Sequence, residues 1–371
     1  MDTIELTEDI FGKTTENLFE RTTFQPWHKP RKHWIRINQW CSCVQKLLAR
    51  KEFSEISVLN YFGMPGEDCL DIQTIGQNLP KGKKIKYLGI EKEDNTQYQS
   101  IVESKLHDTP YISNESKICN KTHLEELESD DSQITNDIFY GEPFHIINLD
   151  LTTSLLPPNK GALMWKSILR LLKCQFGKQT YPWLLFLTTR CDKEAIDEIF
   201  FNEKFSIFLD NYRNNDFRHI VNTEIKNLKD DKILNREALL DSTCYEKIVL
   251  LTIIKMILKN AVAKNVHMCT ESVISYRIEE TSCNPEMHSI VLRFTKEKNV
   301  SDATVAPDEE TKKRMDAEEL DIASRSGHKV ASCENVDDIL TEYPEIKSDM
   351  ANKTKEMLKN IGYDITQYIY D

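Results

Sequence analysis

Two continuous apolar runs constrain the fold of this chain more than any other feature. FHIINLDL at 144–151 and WLLFLT at 183–188 are each typical of a strand buried on both faces. Between them, residues 161–176 carry apolar side chains at helical spacing. A buried helix that joins two buried strands predicts parallel neighbours in a sheet that helices cover on both sides.

Further segments extend this pattern in both directions along the chain. SVLNYF at 57–62 and KIKYLGI at 84–90 predict two earlier strands, with a weak strand near 111–112. Helices are predicted over 192–212 and 245–262. The last two strands, 273–278 and 289–294, are joined by a loop with Asn284 and Pro285, which favours a β-hairpin. The predicted class is α/β: a three-layer, Rossmann-like, mostly parallel sheet with a C-terminal antiparallel hairpin and helical extensions.

The distribution of charge predicts where this domain ends. The net charge is −12, yet residues 21–51 contain eight cations and no acid. Residues 296–371 carry 18 acids and 11 bases. We therefore predict an N-terminal basic and aromatic helical segment (1–52), the α/β domain (53–296), a charged mobile linker with one helix near 308–324 (297–332), and a helical C-terminal extension (333–371).

The basic segment predicts a helix after Pro30. Its apolar residues, among them Trp34 and Ile37, fall at 3–4 spacing and are expected to pack on the sheet. Its cations are expected elsewhere on the circumference. One interpretation is a nucleic-acid surface on which Lys32, Arg36 and Arg50 contact phosphates. The other is a core helix whose cations pair with the acids of the two chain ends.

The C-terminal extension regains apolar residues after the polar stretch. Residues 333–371 predict two short helices that dock either on a protein partner or back on their own domain, over the basic helix.

The turn after the first strand, VLNYFGMPG at 58–66, is the segment most suggestive of a ligand. Gly63 and Gly66 allow a ligand close to the backbone, and the next helix presents free N–H groups. Glu91 ends the second strand, where an acid can accept both hydroxyls of a ribose. The alternative is an ordinary strand–helix turn with a surface glutamate.

Three segments together resemble the motifs of class I S-adenosylmethionine-dependent methyltransferases. VLNYFGMPG is similar to the family's first motif, which has a form like VLDLFAGPG, and YLGIE at 87–91 is similar to the second. FHIINLDL resembles the fourth-strand motif. The resemblance implies S-adenosylmethionine as cofactor, held by Asn60, Gly63, Gly66 and Glu91. It implies Asn148 and Asp150 as the residues that face the methyl acceptor.

Two functions remain open from these residues. The first is a methyltransferase acting on an unknown acceptor, with nucleic acid as one candidate. The second is a non-catalytic binding or assembly subunit of the same fold. Asn60 stands where the family has an acid and Met64 where it has its middle glycine, and these departures favour the second.

Other classes of protein are disfavoured by the sequence. The most apolar run, 248–258, is about half a bilayer span and contains Lys255, so no membrane segment is expected. The ten cysteines form no CxxC pair, and no group of ligands has metal spacing, so no metal is expected. Unpaired cysteines and the absence of an export signal predict a cytoplasmic protein.

Overall fold

The computed structural model describes residues 21–92, 96–225, 233, 239, 244–278, 285–296 and 308–369. These residues form one eight-stranded sheet. In chain order its strands are β1 (Val58–Gly63), β2 (Lys84–Glu91), β3 (Lys117–Asn120), β4 (Ile146–Asp150), β5 (Trp183–Arg190), β6 (Val266–Tyr276), β7 (Met287–Lys296) and β8 (Glu334–Asn335).

The spatial order of the strands is β3-β2-β1-β4-β5-β7-β6-β8. Strands β1 to β5 are parallel, and β7 runs antiparallel to β5 and to β6. The predicted hairpin is therefore β6–β7, inserted so that its second strand lies beside β5. This arrangement confirms the predicted mostly parallel sheet with a C-terminal antiparallel hairpin.

Helices cover both faces of the sheet and create two separate cores. The first helix, α1, spans residues 30–48. The others are α2 (Leu70–Gln77), α3 (Thr96–His107), α4 (Gln133–Tyr140), α5 (Gly161–Lys178), α6 (Glu198–Tyr212), α7 (Asn215–Glu224), α8 (Tyr245–Val262), α9 (Glu309–Ala331), α10 (Val336–Glu342) and α11 (Pro344–Asn360). One core joins the sheet to α5, α6, α8 and α9. The other joins it to α1, α2, α3 and the C-terminal extension.

Helix α1 packs on the sheet with most of its apolar residues as predicted, since Trp40, Cys41, Val44 and Leu48 are buried, but its first cations do not lie on the outside. The side chains of Arg31, Lys32 and Arg36 are buried, whereas Trp34 and Ile37 are partly exposed. The middle of α1, Ile35–Cys41, is a π-helix. Its wider i→i+5 turns rotate later residues relative to the 3.6 spacing on which the prediction depended. Acids beneath the helix provide the partners that make burial of its first cations possible.

The C-terminal extension docks on its own domain. Helix α11 contacts α1, and apolar residues of the extension belong to the same core as α1, among them Leu358, Tyr363 and Tyr368. Arg31 of α1 pairs with Asp337 of α10 at 3.2 Å. Of the two docking modes left open by the sequence, the structure has the one that covers the basic helix.

Three boundaries differ from the sequence-based expectation. Strand β6 begins at Val266, not at 273, and contains a register shift between Thr270 and Ser272. The weak strand near 111–112 is a single bridge from Ile112 to Ile85, and the third strand is Lys117–Asn120. The described part of the predicted linker is helix α9, whose Ile322, Ala323 and Val330 lie in the larger core. Residues 297–307 lie outside the described part of the chain.

Trp40 provides a test of the contact between α1 and the sheet. Its indole is fully buried and lies parallel to the Phe186 ring, with centroids 5.5 Å apart, and its N–H donates to Ser289 Oγ at 3.2 Å. Trp40→Ala should lower the free energy of unfolding by about 3–5 kcal/mol because it removes a large buried ring. Urea denaturation measures the loss. Ile199→Ala, at an 85% exposed position, is the control and should change stability by less than about 0.5 kcal/mol.

Candidate functional site

The carboxyl ends of β1 and β4 meet beneath helix α1. Gly63 pairs with Asn148 in the sheet, and Asp150 pairs with Thr188 of β5. In a parallel α/β sheet, ligands bind at this edge because the strand order reverses direction there. The polar side chains of α1 and of the strands converge at this point.

Lys32 joins α1 to the end of β4. Its Nζ donates to Asp150 Oδ1 at 2.5 Å and to the Tyr276 hydroxyl at 3.2 Å. The amino group also lies 4.9 Å from the centre of the Trp40 ring. Burial lowers the pKa of Lys32 from its ordinary value, and the attraction of Asp150 opposes that shift. The Asp150 side chain remains 17% exposed, so this carboxylate can still be reached from outside.

Arg36 is the second cation under the helix. Its Nη1 donates to the backbone carbonyl of Trp27 at 3.1 Å. Burial lowers the pKa of Arg36, opposed by the charges of Asp150 and Asp71. Its Nε has no hydrogen-bond partner among the residues that the structure describes. A buried guanidinium donor is thus left available beside two acids.

Asn148, Tyr61 and Asp71 form a buried network next to this guanidinium. Asn148 Nδ2 donates to the Tyr61 hydroxyl at 2.9 Å and to Asp71 Oδ2 at 3.0 Å, and the Tyr61 hydroxyl donates to the same carboxylate. Burial raises the pKa of Asp71. Within the described ranges, Asp71 Oδ1 and Asn148 Oδ1 accept no hydrogen bond. Acceptors and a donor are therefore buried together without partners.

The turn after β1 approaches its surroundings closely on one side and is open on the other. A Cβ at Gly63 would lie 2.8 Å from the Tyr61 ring and 3.1 Å from the carbonyl oxygen of Asn148, so only glycine fits there. Gly66 has φ +63° and no atom within 4 Å of a Cβ position. Gly63 thus serves the packing of the chain, and the open side of the turn lies at Gly66.

The loop of residues 64–69 is held by Asp68. This carboxylate is buried and binds His28 Nε2 at 2.8 Å, the Tyr363 hydroxyl at 3.0 Å and Arg21 Nη1 at 3.1 Å. Burial alone would raise its pKa, but the bonds and charges of these partners outweigh burial and lower it. Segments from both ends of the described chain therefore meet on one loop.

The remaining candidate residues lie apart from this cluster. Asn60 points toward the amino end of β4, where its Nδ2 donates to Glu142 Oε2 at 3.1 Å and to the Pro143 carbonyl at 3.2 Å. Glu91 is partly buried at the end of β2, and its carbonyl accepts from Thr122 N. Arg50 lies just beyond α1 and pairs with Glu52 at 3.4 Å. Asn60 is therefore not brought together with the other predicted cofactor residues.

The predicted phosphate contacts of the basic segment need correction in two positions. Lys32 and Arg36 are 4% and 3% exposed, because α1 turns them toward acids of the sheet and of α2. Arg50 is partly exposed. Nucleic-acid binding stays a prediction, and in this conformation only Arg50 of the three cations is accessible.

Sequence reasoning missed Tyr61, Asp71 and Tyr276 of the cluster. Asp71 lies in the first turn of α2, where an acid is ordinarily explained by its favourable interaction with the helix dipole. Tyr276 ends a strand whose start was placed seven residues late. The available signal was the group of cations Arg31, Lys32 and Arg36, which has no acid nearby in sequence. Such cations require distant partners if they are buried.

The described residues form neither a metal-binding group nor a membrane-spanning helix. Across residues 21–92, 96–225, 244–278, 285–296 and 308–369, no group of three or more His, Cys, Asp or Glu residues could hold a metal ion. In the same part of the chain, no helix has the length and hydropathy needed to cross a bilayer.

Residues 21–370 match the model of the PP_RS20740-like family. The chain belongs to the PP_RS20740-like family. That match covers both ends of the described structure, so the extensions belong to the family's common sequence as much as the sheet does. No curated protein sequence matches the chain.

Solved structures to which the chain is similar include three methyltransferases. One is a provisionally named class I S-adenosylmethionine-dependent methyltransferase from Listeria monocytogenes, at TM-score 0.36 and 11% identity, covering 85% of this chain and 76% of that one. The O-methyltransferase TomG from Streptomyces achromogenes, solved with S-adenosylmethionine, has a TM-score of 0.31 and 9% identity, covering 78% of this chain and 96% of that one. Precorrin-6y C5,15-methyltransferase from Geobacter metallireducens has a TM-score of 0.26 and 8% identity, covering 68% of this chain and 91% of that one.

These likenesses are remote, and the fold assignment depends on the strand order of this family member itself. The sheet has five parallel strands followed by a hairpin, and the antiparallel strand of that hairpin lies beside β5. This is the strand order expected of the class I methyltransferase-like fold.

The Lys32–Asp150 pair can be tested by stability. Lys32→Met should lower the free energy of unfolding by about 3 kcal/mol, because it leaves a largely buried carboxylate without its cation. Lys46→Met, on the exposed side of α1, is the matched control and should be nearly neutral. The double variant Lys32→Met/Asp150→Leu should recover most of the loss in urea denaturation. Equal effects of Lys32→Met and Lys46→Met would contradict a buried pair.

Asp68 predicts a dependence of stability on pH. A carboxyl group whose pKa is lowered by folding contributes stability above its ordinary range, and that contribution disappears as pH falls through the folded pKa. The wild-type protein should therefore exceed Asp68→Asn in stability near neutral pH. The difference should shrink below pH ~4. Urea midpoints of both proteins across pH 3 to 7 measure this, and a constant difference would refute it.

Proposed function

We propose that this domain binds S-adenosylmethionine at the carboxyl ends of β1, β2 and β4 and transfers its methyl group to an acceptor. The observation that carries the proposal is the group of unpartnered atoms under α1: Arg36 Nε, Asp71 Oδ1 and Asn148 Oδ1, considered within the described residues. A buried polar atom without a partner costs about 1–3 kcal/mol. A ligand with both a negative and a positive group could form hydrogen bonds with all three atoms.

The amino-acid end of S-adenosylmethionine has that combination of groups. Its carboxylate is the partner that the Arg36 guanidinium would take, and its ammonium is the partner for Asp71 and Asn148. Glu91, at the end of the neighbouring strand, is suited to the ribose hydroxyls. The open side of Gly66 leaves room for a ligand near the turn. The residues present therefore fit the cofactor that the fold implies.

Asp150 is the residue of this chain best suited to meet the acceptor. When bound, the cofactor supplies an electrophilic methyl group. Asp150 is charged, partly exposed and fixed at a strand end by Lys32, so it can orient the acceptor or accept its proton. Lys32 donates to this carboxylate and also to the Tyr276 hydroxyl, which fixes the position of the lysine. Asn148 is fully buried, which favours a role in holding the cofactor over one in contacting the acceptor.

The Lys32–Asp150 contact also favours a second candidate, the non-catalytic subunit. The Asp150 carboxylate already accepts a hydrogen bond from Lys32 at 2.5 Å, so part of it is engaged within the protein. In this alternative the polar layer under α1 is structural. The domain would then serve in assembly, and the departures at Asn60 and Met64 would have no catalytic cost.

Calorimetry with S-adenosylmethionine and S-adenosylhomocysteine tests the first proposal. The wild-type protein should bind both ligands, and Asp71→Asn should weaken binding by about tenfold or more, since it removes a charge-assisted contact to the ammonium. Asp349→Asn is the matched control, because Asp349 is exposed and pairs only locally with Lys353. Absence of wild-type binding at millimolar ligand would exclude the cofactor.

Methyl transfer then separates the two candidates. Wild-type protein and Asp150→Asn are incubated with methyl-labelled S-adenosylmethionine and, separately, with RNA, DNA, protein and small-molecule fractions. Label that enters one fraction only with the wild-type protein supports the enzyme. Tight cofactor binding with no transfer to any fraction supports the non-catalytic subunit.

A further inference from the structure

The C-terminal extension contacts the loop that leads into the candidate site. Residues 64–69 connect β1 to α2, and α2 carries Asp71 into the cluster under α1. Asp68 lies between them and is 2% exposed. Whatever fixes Asp68 therefore fixes the loop and the start of the helix that presents Asp71.

Tyr363 reaches Asp68 from 295 residues away. Its hydroxyl lies 3.0 Å from Oδ1 and 3.2 Å from Oδ2, while His28 Nε2 lies 2.8 Å from Oδ2. The His28 ring is fully buried and meets the Tyr363 ring edge-on at 5.2 Å. The carboxylate is thus shared between residues from both ends of the described chain.

Three further contacts hold the same segment against the beginning of the described chain. Asp364 N donates to the carbonyl of Arg21 at 3.0 Å, and the Tyr368 hydroxyl donates to the carbonyl of His28 at 2.5 Å. Phe24 stacks on Tyr363 with centroids 5.6 Å apart. Residues 361–368 therefore form a strap that lies across residues 21–28 and ends on the loop.

We propose that this strap positions the ligand-facing loop: Tyr363, acting through Asp68, orders residues 64–69, and ligand binding and strap docking are coupled. Tyr363 is a positioning residue, since it acts on the site only through Asp68. Coupling between two sites is reciprocal, so a ligand that needs the ordered loop must also tighten the strap. The second half of this proposal depends on the proposed cofactor, whereas the first half does not.

Hydrogen exchange measured by mass spectrometry tests the positioning role in the full chain without ligand. Tyr363→Phe removes one hydroxyl and keeps the ring contacts with Phe24 and His28. Amides of 64–69 should exchange at least several-fold faster, while the urea midpoint changes little. Tyr343→Phe is the matched control: Tyr343 lies on the same extension, is 43% exposed, and its hydroxyl makes no hydrogen bond within the described residues. Unchanged exchange at 64–69 in Tyr363→Phe would overturn the proposal.

A double-variant cycle checks that the effect passes through Asp68. Asp68→Asn should increase exchange in the same loop, and combining it with Tyr363→Phe should add little, because both remove one interaction. Additive effects would show that Tyr363 acts elsewhere. If Tyr363→Phe does not fold, Asp68→Asn alone decides the result, with Asp349→Asn, an exposed carboxylate on α11, as the control.

Ligand binding supplies the second readout. S-adenosylmethionine should slow exchange in 361–368 of the wild-type protein, and Tyr363→Phe should bind it about tenfold more weakly, the size expected for one hydrogen bond to a charged group. Equal affinities would overturn the coupling. A wild-type protein that does not bind the cofactor would remove the proposed function, while exchange at 64–69 would still decide the positioning role.

Discussion

The ion pair of Lys32 and Asp150 is the interaction on which the rest of the structure depends. Removing a lysine from water is costly unless a carboxylate and further hydrogen bonds compensate for lost hydration. Asp150 and Tyr276 provide that compensation at the carboxyl end of β4 and of β6. Helix α1 is thereby fixed over two strands that are far apart in sequence. The pair determines which edge of the sheet is covered and where a ligand would have to enter.

Contacts within the protein explain why the cations of the sequence are concentrated in one segment. The acid-free segment 21–51 is not an exposed basic surface over its first half. Arg31 meets Asp337, Lys32 meets Asp150, and His28 meets Asp68. The acids are supplied by the sheet, the β1 loop and the extension, so a segment that looks unbalanced in sequence is balanced in space.

The sheet could be predicted because its strands carry their signal locally. Helix α8 matches its predicted range, 245–262, and β4 and β5 match to within two residues at each end. Asn148 and Asp150 became candidates through the resemblance of FHIINLDL to a methyltransferase motif, not through the apolar pattern itself. Local patterns could not reveal the π-helix in α1 or the burial of Arg31, Lys32 and Arg36, because the acids near them lie far away in sequence. They could not reveal Tyr363 on Asp68 either, because nothing near 363 in sequence indicates position 68.

The contact between residues 21–28 and 361–368 has a consequence for the order of folding during synthesis. The parallel bridge between Arg21 and Tyr363 cannot form until residue 363 has left the ribosome. Chains ordinarily fold in the direction in which they are made. Here the strands between residues 58 and 296 can associate first. Residues 21–28 cannot dock until residues 361–368 have been made. The nascent protein therefore holds a β1 loop without Tyr363 from the time its strands associate until residue 363 has been made, and its candidate site is completed only then.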